Sequence, residues 1–111
     1  MARLESKEKD IYQIVSIVIA SEIKDKAITG VTITGCKLTK DMSFATLYYT
    51  VMGKDEKKQK VETALKRARG FIKKRIADEV PLRKIPELLF EYDHSLEAGN
   101  RIESLLRSIK D

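Results

Sequence analysis

Three groups of side chains in this sequence have types and spacings that could do chemistry. The first is Asp93-His94-Ser95, which places the three residue types of a hydrolase relay side by side. Relay members converge in space from separate elements, and neighbours along one strand end point in different directions. A strand terminus followed by a helix cap accounts for Asp93 and Ser95, so no catalytic residue is expected. The second is Cys36, the sole cysteine, in a β-branched segment where a small, buried, apolar residue is expected rather than a nucleophile. With one Cys and one His in the chain, neither a Cys-based zinc cluster nor a multi-His metal site can be assembled, and no metal site is expected. The glycines at 30, 35, 53, 70 and 99 are too dispersed for a phosphate loop of the nucleotide-binding kind, so no cofactor is expected.

The third group is cationic. Lys66, Arg67, Arg69, Lys73 and Lys74 surround Gly70. Placed at helical spacing, Val61, Ala64, Leu65, Ala68, Ile72 and Ile76 fall within one arc of about 120°, the cations take the remaining arc, and Gly70 lies opposite the apolar stripe. Glycine inside a helix costs roughly 1 kcal/mol relative to alanine, and here it fills no packing role. Either the backbone kinks at Ala68-Arg69-Gly70, with a second helix starting near Phe71, or a ligand backbone comes too close for any side chain. Both suit a phosphate chain held by nearby cations and helix N–H groups. Arg83 and Lys84, the last cations of the same basic stretch, complete the candidate set.

Charge along the chain agrees with that placement. The 111 residues carry a formal net charge of +5, but residues 54–84 hold 12 Lys+Arg against 5 Asp+Glu, whereas the segments on either side are near neutral or acidic. A concentrated positive field attracts polyanions, of which nucleic-acid phosphates are the commonest. The bland alternative is a solvated lysine-rich helix. Aromatic residues make up only 6% of the chain, so binding should lean on phosphates and shape more than on base stacking.

The elements that must position these groups follow from periodicity. Ser6 is the expected N-cap of a first helix through Ile11, Ile14, Val15, Val18, Ile19 and Ile23. Val31-Thr32-Ile33-Thr34 suits a strand, and its alternation slips at Gly35-Cys36, which predicts a bulge. After turn residues 39–42, residues 43–52 alternate with Ala45, Leu47, Tyr49 and Val51 on one face, predicting a hairpin. The basic helical segment ends at Pro81, and Leu88, Phe90 and Tyr92 alternate in a last strand whose start is marked by Pro86. A final helix is expected through Leu96, Ile102, Leu105, Leu106 and Ile109. At this length, with 42% hydrophobic residues, the chain can build one core, so residues 1–111 are expected to form a single domain of the α+β class. The charged N-terminus lacks an export signal, and the apolar run 14–20 is about half of a bilayer span, which points to the cytoplasm.

With that element order and Gly70 in view, the sequence resembles the ribosome-binding factor A family of bacteria. The resemblance covers nearly the whole chain and is carried by Ile23-Lys24-Asp25, Val31-Thr32-Ile33-Thr34, Asp41-Met42-Ser43-Phe44-Ala45-Thr46-Leu47-Tyr48, Ala68-Arg69-Gly70-Phe71-Ile72, Leu82-Arg83-Lys84-Ile85-Pro86-Glu87-Leu88 and Tyr92-Asp93-His94-Ser95. It implies a type II KH-like domain, helix-strand-strand-helix-(kink)-helix-strand-helix, with a small sheet covered by helices on one face and an Ala-x-Gly kink in place of the KH glycine loop. It further implies a non-catalytic factor for the immature small ribosomal subunit that contacts its rRNA during late maturation and pre-rRNA processing. A monomer is expected, with no membrane partner and with a ribosome-assembly GTPase as a further partner. The alternative is a generic KH-type nucleic-acid-binding or protein-interaction module with no tie to the ribosome.

Overall fold

In the computed structural model the described residues are 2–52 and 55–95. Helix α1 spans Ala2–Ile17 and continues as a π-helical turn, Val18–Glu22. It thus starts four residues ahead of Ser6, which is not its cap. Leu4, one heptad before Ile11, packs on the core, so the apolar stripe prolongs the helix past the capping residue. Two bonds pin this first half of α1 to distant chain: Lys7 Nζ donates to the Pro81 carbonyl at 2.9 Å, and Glu8 Oε2 accepts the Leu38 N–H at 2.7 Å.

Beyond a short 3₁₀ turn, Lys26–Ile28, strands β1 (Val31–Leu38) and β2 (Phe44–Val51) form the expected antiparallel hairpin. Its register slips between Ile33 and Gly35, so the bulge residue is Thr34, one position ahead of the expected Gly35-Cys36. Gly35 follows the bulge and faces Tyr48 across the hairpin, and a Cβ there would meet the Tyr48 ring only at ordinary contact distance, 4.0 Å. β3 (Glu87–Tyr92) pairs parallel to β2, giving the order β1-β2-β3 with β2 in the middle. Parallel strands need a long crossover, and helix α2 (Asp55–Glu79) provides it.

Alternation decides which face of the sheet is covered. Ala45, Leu47, Tyr49 and Val51 of β2, with Ile33 and Leu38 of β1 and Leu88 of β3, are buried against the helices. Thr32, Lys37, Phe44 and Leu89 stay exposed, and no element among the described residues covers the other face. From α2 the buried residues are Val61, Ala64, Leu65, Ile72 and Ile76, with Ala68 half-buried, as the spacing predicts. A fully buried aliphatic side chain contributes roughly 1.5–3 kcal/mol, so this stripe is what holds α2 on the sheet.

One expectation is corrected. α2 is a single uninterrupted helix through Ala68-Arg69-Gly70, and no second helix begins near Phe71. The physical reason lies in the stripe. Leu65, Ile72 and Ile76 remain in phase on both sides of Gly70, and the packing of those residues outweighs the roughly 1 kcal/mol that an internal glycine costs. The expected helix from Leu96 lies outside the described residues.

Candidate nucleic-acid interface

The local order of α2 sorts its cations into a ridge and two flanks. Lys66, Gly70 and Lys74 follow one another at intervals of four along the outermost line, so two ammonium groups stand one turn either side of a gap, about 12 Å apart along the axis. All three are exposed, and nothing lies within 4 Å of where a Gly70 Cβ would be. The described residues therefore leave this gap open. Lys66 also sits 3.5 Å from Glu62, one turn back, a pairing of small energy at such exposure.

On one flank Arg67 reaches Asp25 at 3.0 Å, and Arg75 bonds Glu22 at 2.8 Å and Glu79 at 3.0 Å. Asp25 also accepts the Ala27 N–H at 3.0 Å, and this bond, with help from Arg67, holds its carboxyl below the usual carboxylate range. Arg75 is thereby held as a strut between the end of α1 and the end of α2. Beside Arg67, Phe71 is 47% exposed over a shallow depression shared with Ile23, Asp25 and Ala68.

On the other flank Lys73 forms an ion pair with Glu87 at the start of β3, and that pairing lowers the Glu87 carboxyl. Arg69 is half-buried on the same side, and its Nε is buried without a hydrogen-bond partner among the described residues. The sequence treats all five helix cations as equivalent. The structure leaves Lys74 exposed on the ridge, turns Arg69 inward along the helix wall, and engages Arg67 and Lys73 in ion pairs that a polyanion would have to share or displace.

Arg83 and Lys84 do not join that ridge. They lie past the C-terminal end of α2, in the loop before β3, where Lys84 Nζ donates to Ser43 Oγ at 3.2 Å and Arg83 flanks the β1–β2 turn beside Lys40 and Lys7. Lys7 and Lys40 are cations that periodicity does not single out, because their proximity depends on chain segments far apart in sequence.

The remaining candidates have structural roles. Asp93 Oδ2 accepts the Thr34 hydroxyl at 2.6 Å and Oδ1 accepts the Ser95 N–H at 2.9 Å, which bring its carboxyl down to about 2. The His94 ring leans on Tyr92 with centroids 5.0 Å apart. Both oxygens of Asp93 are thus committed to tying β1 and the chain beyond β3 together. Cys36 is half-buried, and burial, with the Glu8 charge, pushes its thiol up to about 12. Among the described residues no group of three or more His, Cys, Asp or Glu side chains could hold a metal ion, and no helix is long and apolar enough to cross a membrane.

The family model described as ribosome-binding factor A matches residues 3–106. This chain belongs to the ribosome-binding factor A family. It is 44% identical over 107 residues to ribosome-binding factor A of Geotalea daltonii, covering 96% of this chain and 87% of that one. Against the Geobacter metallireducens relative the identity is 45% over 107 residues, with 96% and 91% covered. The fold agrees with the crystal structure of ribosome-binding factor A from Thermus thermophilus at a TM-score of 0.74 and 22% identity, over 83% of this chain and 97% of that one. It also agrees, at a TM-score of 0.64 and 22% identity over 78% and 91%, with the Thermus thermophilus ribosome binding factor A coordinates fitted into the cryo-EM map of a 30S complex. A sheet covered on one face by helices, with a parallel crossover pair, is consistent with the KH-like fold that the resemblance implies. The α2 segment and the blocks 41–48 and 82–95 all lie within the matched region.

Proposed function

We propose that this chain is a non-catalytic assembly factor that binds the immature small ribosomal subunit through its rRNA, assisting late maturation and pre-rRNA processing as a cytoplasmic monomer built from a single KH-like domain. Family membership supports the ribosome as target, and the observation that supports RNA as the partner is the ridge Lys66-Gly70-Lys74, two exposed ammonium groups about 12 Å apart with an empty position between them. Phosphate contacts position a protein on RNA without reading its sequence, so the factor would favour one rRNA conformation by holding its backbone. Lys66, Arg67, Arg69, Gly70, Lys73 and Lys74 form the proposed contact, with the Arg67–Asp25 and Lys73–Glu87 pairs exchanged for phosphate on binding. A ribosome-assembly GTPase is proposed as a further partner on the family resemblance alone.

Sedimentation tests the reading. The purified chain should travel with immature small subunits at low salt and be released steeply as salt rises, since each phosphate contact adds nearly one unit to the salt slope. Its loss from cells should leave pre-rRNA ends untrimmed. A chain that stays at the top of the gradient at low salt, with normal trimming in its absence, overturns the proposal, and salt-insensitive binding to a protein instead supports an interaction module.

A further inference from the structure

A second concave site lies apart from Gly70, about 13 Å further along the α2 axis where the helix ends and the chain enters residues 81–84. It is a cavity of about 680 Å³ between the first half of α1, the β1–β2 turn and the 81–84 loop. Its floor is apolar, from Leu4, Met42, Pro81 and Leu82, three of which also pack on the core. Lys7, Lys40 and Arg83 stand around it. Lys7 is tied to the Pro81 carbonyl, which leaves Lys40 and Arg83 as the exposed cations of the rim. The nearest carboxylate of the turn, Asp41, is already occupied: it accepts the Ser43 N–H at 3.0 Å and the Thr39 and Ser43 hydroxyls at 2.8 Å each, and its pKa is held at about 2.

The wall beside Lys40 has an unusual origin. Met42 has φ of 61°, the only non-glycine residue in the left-handed region among the described residues. Such a conformation costs a residue with a Cβ of order 1–2 kcal/mol. The Asp41 bonds and the Met42 N–H donating to the Thr39 carbonyl at 2.9 Å hold the turn in place. The strain has no use in joining two strands, which Gly or Asn at this position would do at less cost. It does set a long, polarisable thioether into the cavity wall.

A flat, apolar face with a negative charge close beside it is the chemistry that such a cavity fits, and an unstacked nucleobase with its own phosphate has it. Resting on the proposal that the chain binds rRNA, we infer that this cavity takes one splayed-out base of single-stranded RNA between Met42, Leu82 and Leu4, with the adjoining phosphate on Lys40 and Arg83. The site thus selects unpaired RNA, while the α2 ridge accepts backbone of any pairing state. A paired base cannot reach the floor without leaving its stack.

Methyl NMR on the full chain tests this, with single-stranded heptaadenylate and a blunt RNA duplex of matching charge as the two probes. Saturable shifts of the Met42, Leu4 and Leu82 methyls with heptaadenylate and not with the duplex are the expected result. Lys40→Glu with Arg83→Glu should weaken heptaadenylate binding about tenfold and flatten its salt slope by about 0.7 unit, the share of the one phosphate that the two cations hold. Met42→Gly removes a side chain that packs on the core as well as lining the cavity, so at temperatures where the variant stays folded it should weaken heptaadenylate binding while leaving duplex binding to the α2 ridge unchanged, a split that a merely structural Met42 would not give. If the chain sediments with immature subunits but heptaadenylate leaves these methyls unmoved, this inference falls and the proposed function stands. If the chain binds neither subunits nor heptaadenylate, both fall. Equal shifts with the duplex, or shifts only with an acidic apolar peptide, also overturn the base-binding site.

Discussion

The ridge around Gly70 and the cavity beside Met42 are both basic, yet they are made in opposite ways. The ridge is a product of one helix: Lys66, Gly70 and Lys74 are brought into line by the 3.6-residue repeat, and no other element helps to place them. The cavity is a product of the whole fold, since Leu4, Lys40, Met42 and Leu82 come from three segments that meet only after the sheet and α1 have packed. A site of the first kind survives local damage as long as the helix is docked. A site of the second kind is lost with any of its walls.

The sharpest break between the two should come from the shared core. Leu65 is fully buried on the inner face of α2, and Leu65→Ala should cost about 2–5 kcal/mol, read as a drop in the denaturation midpoint. If the comparison is right, conditions that still keep the variant folded should preserve ridge binding better than cavity binding, measured as salt-sensitive duplex affinity against heptaadenylate affinity.

Next in size is Gly70→Val. A Cβ at 70 meets nothing within 4 Å, so the variant should stay within about 0.5 kcal/mol of the parent in stability. Affinity for immature subunits should fall about tenfold, the equivalent of about 1.4 kcal/mol, because the gap between Lys66 and Lys74 is filled. An unchanged affinity would remove Gly70 from the interface and leave general charge as the cause of binding.

A smaller effect should follow acidification, and it separates the regions by pH. The Asp41 and Asp93 carboxyls are both brought down to about 2 by hydrogen bonds that only the folded chain makes. A depressed folded pKa gives stability that is fully present above the ordinary carboxylate value, near 3.8, and is lost as pH falls towards 2. The β1–β2 turn should therefore loosen between about pH 4 and pH 2, seen in the Met42 methyl signal, and Asp41→Asn should flatten that dependence. Signals from Lys66, Gly70 and Lys74 on the outermost line of α2 should move less over the same range, because the lowered carboxyls beside this helix, Asp25 and Glu87, pair with Arg67 and Lys73 on its flanks.

The smallest change should come from a charge removed away from both sites. Lys60→Glu alters an exposed helix cation beyond the Gly70 gap and should change subunit affinity less than twofold at moderate salt. Lys58 is a poor control, because its ammonium lies over the Tyr92 ring, 4.4 Å from the ring centre, and a reversal there would also remove that contact. A Lys60→Glu effect as large as that of Gly70→Val would mean that position on the helix does not matter.

What was legible in the sequence follows the same division. Helix and strand periods place Leu65, Ile72, Leu47 and Leu88 in the core, whereas the parallel pairing of β3 with β2 is seen only in the structure. The ridge is equally readable, being a matter of residue intervals. Two local inferences fail where tertiary packing outvotes local preference: Ser6 does not cap α1, because Leu4 extends the stripe, and Gly70 does not divide α2, because the stripe continues in phase beyond it. The ion pairs Arg67–Asp25 and Lys73–Glu87, the inward turn of Arg69 and the gathering of Lys7, Lys40 and Arg83 have no signature in spacing, since each joins segments whose separation in sequence carries no period.

The position of β2 between an antiparallel and a parallel neighbour also sets an order of events as the chain acquires its shape. Its bond to β1 closes a short turn and can form early, whereas the pairing of Phe44 with Glu87 waits until all of α2 has been laid across the sheet. Local contacts are entropically cheap and distant ones are not, so the hairpin should nucleate and β3 should zip on last. During synthesis, the nascent chain would expose the β3 side of β2 until residue 92 has cleared the exit tunnel. Mutations in the hairpin should then slow folding, while mutations in β3 should mainly quicken unfolding.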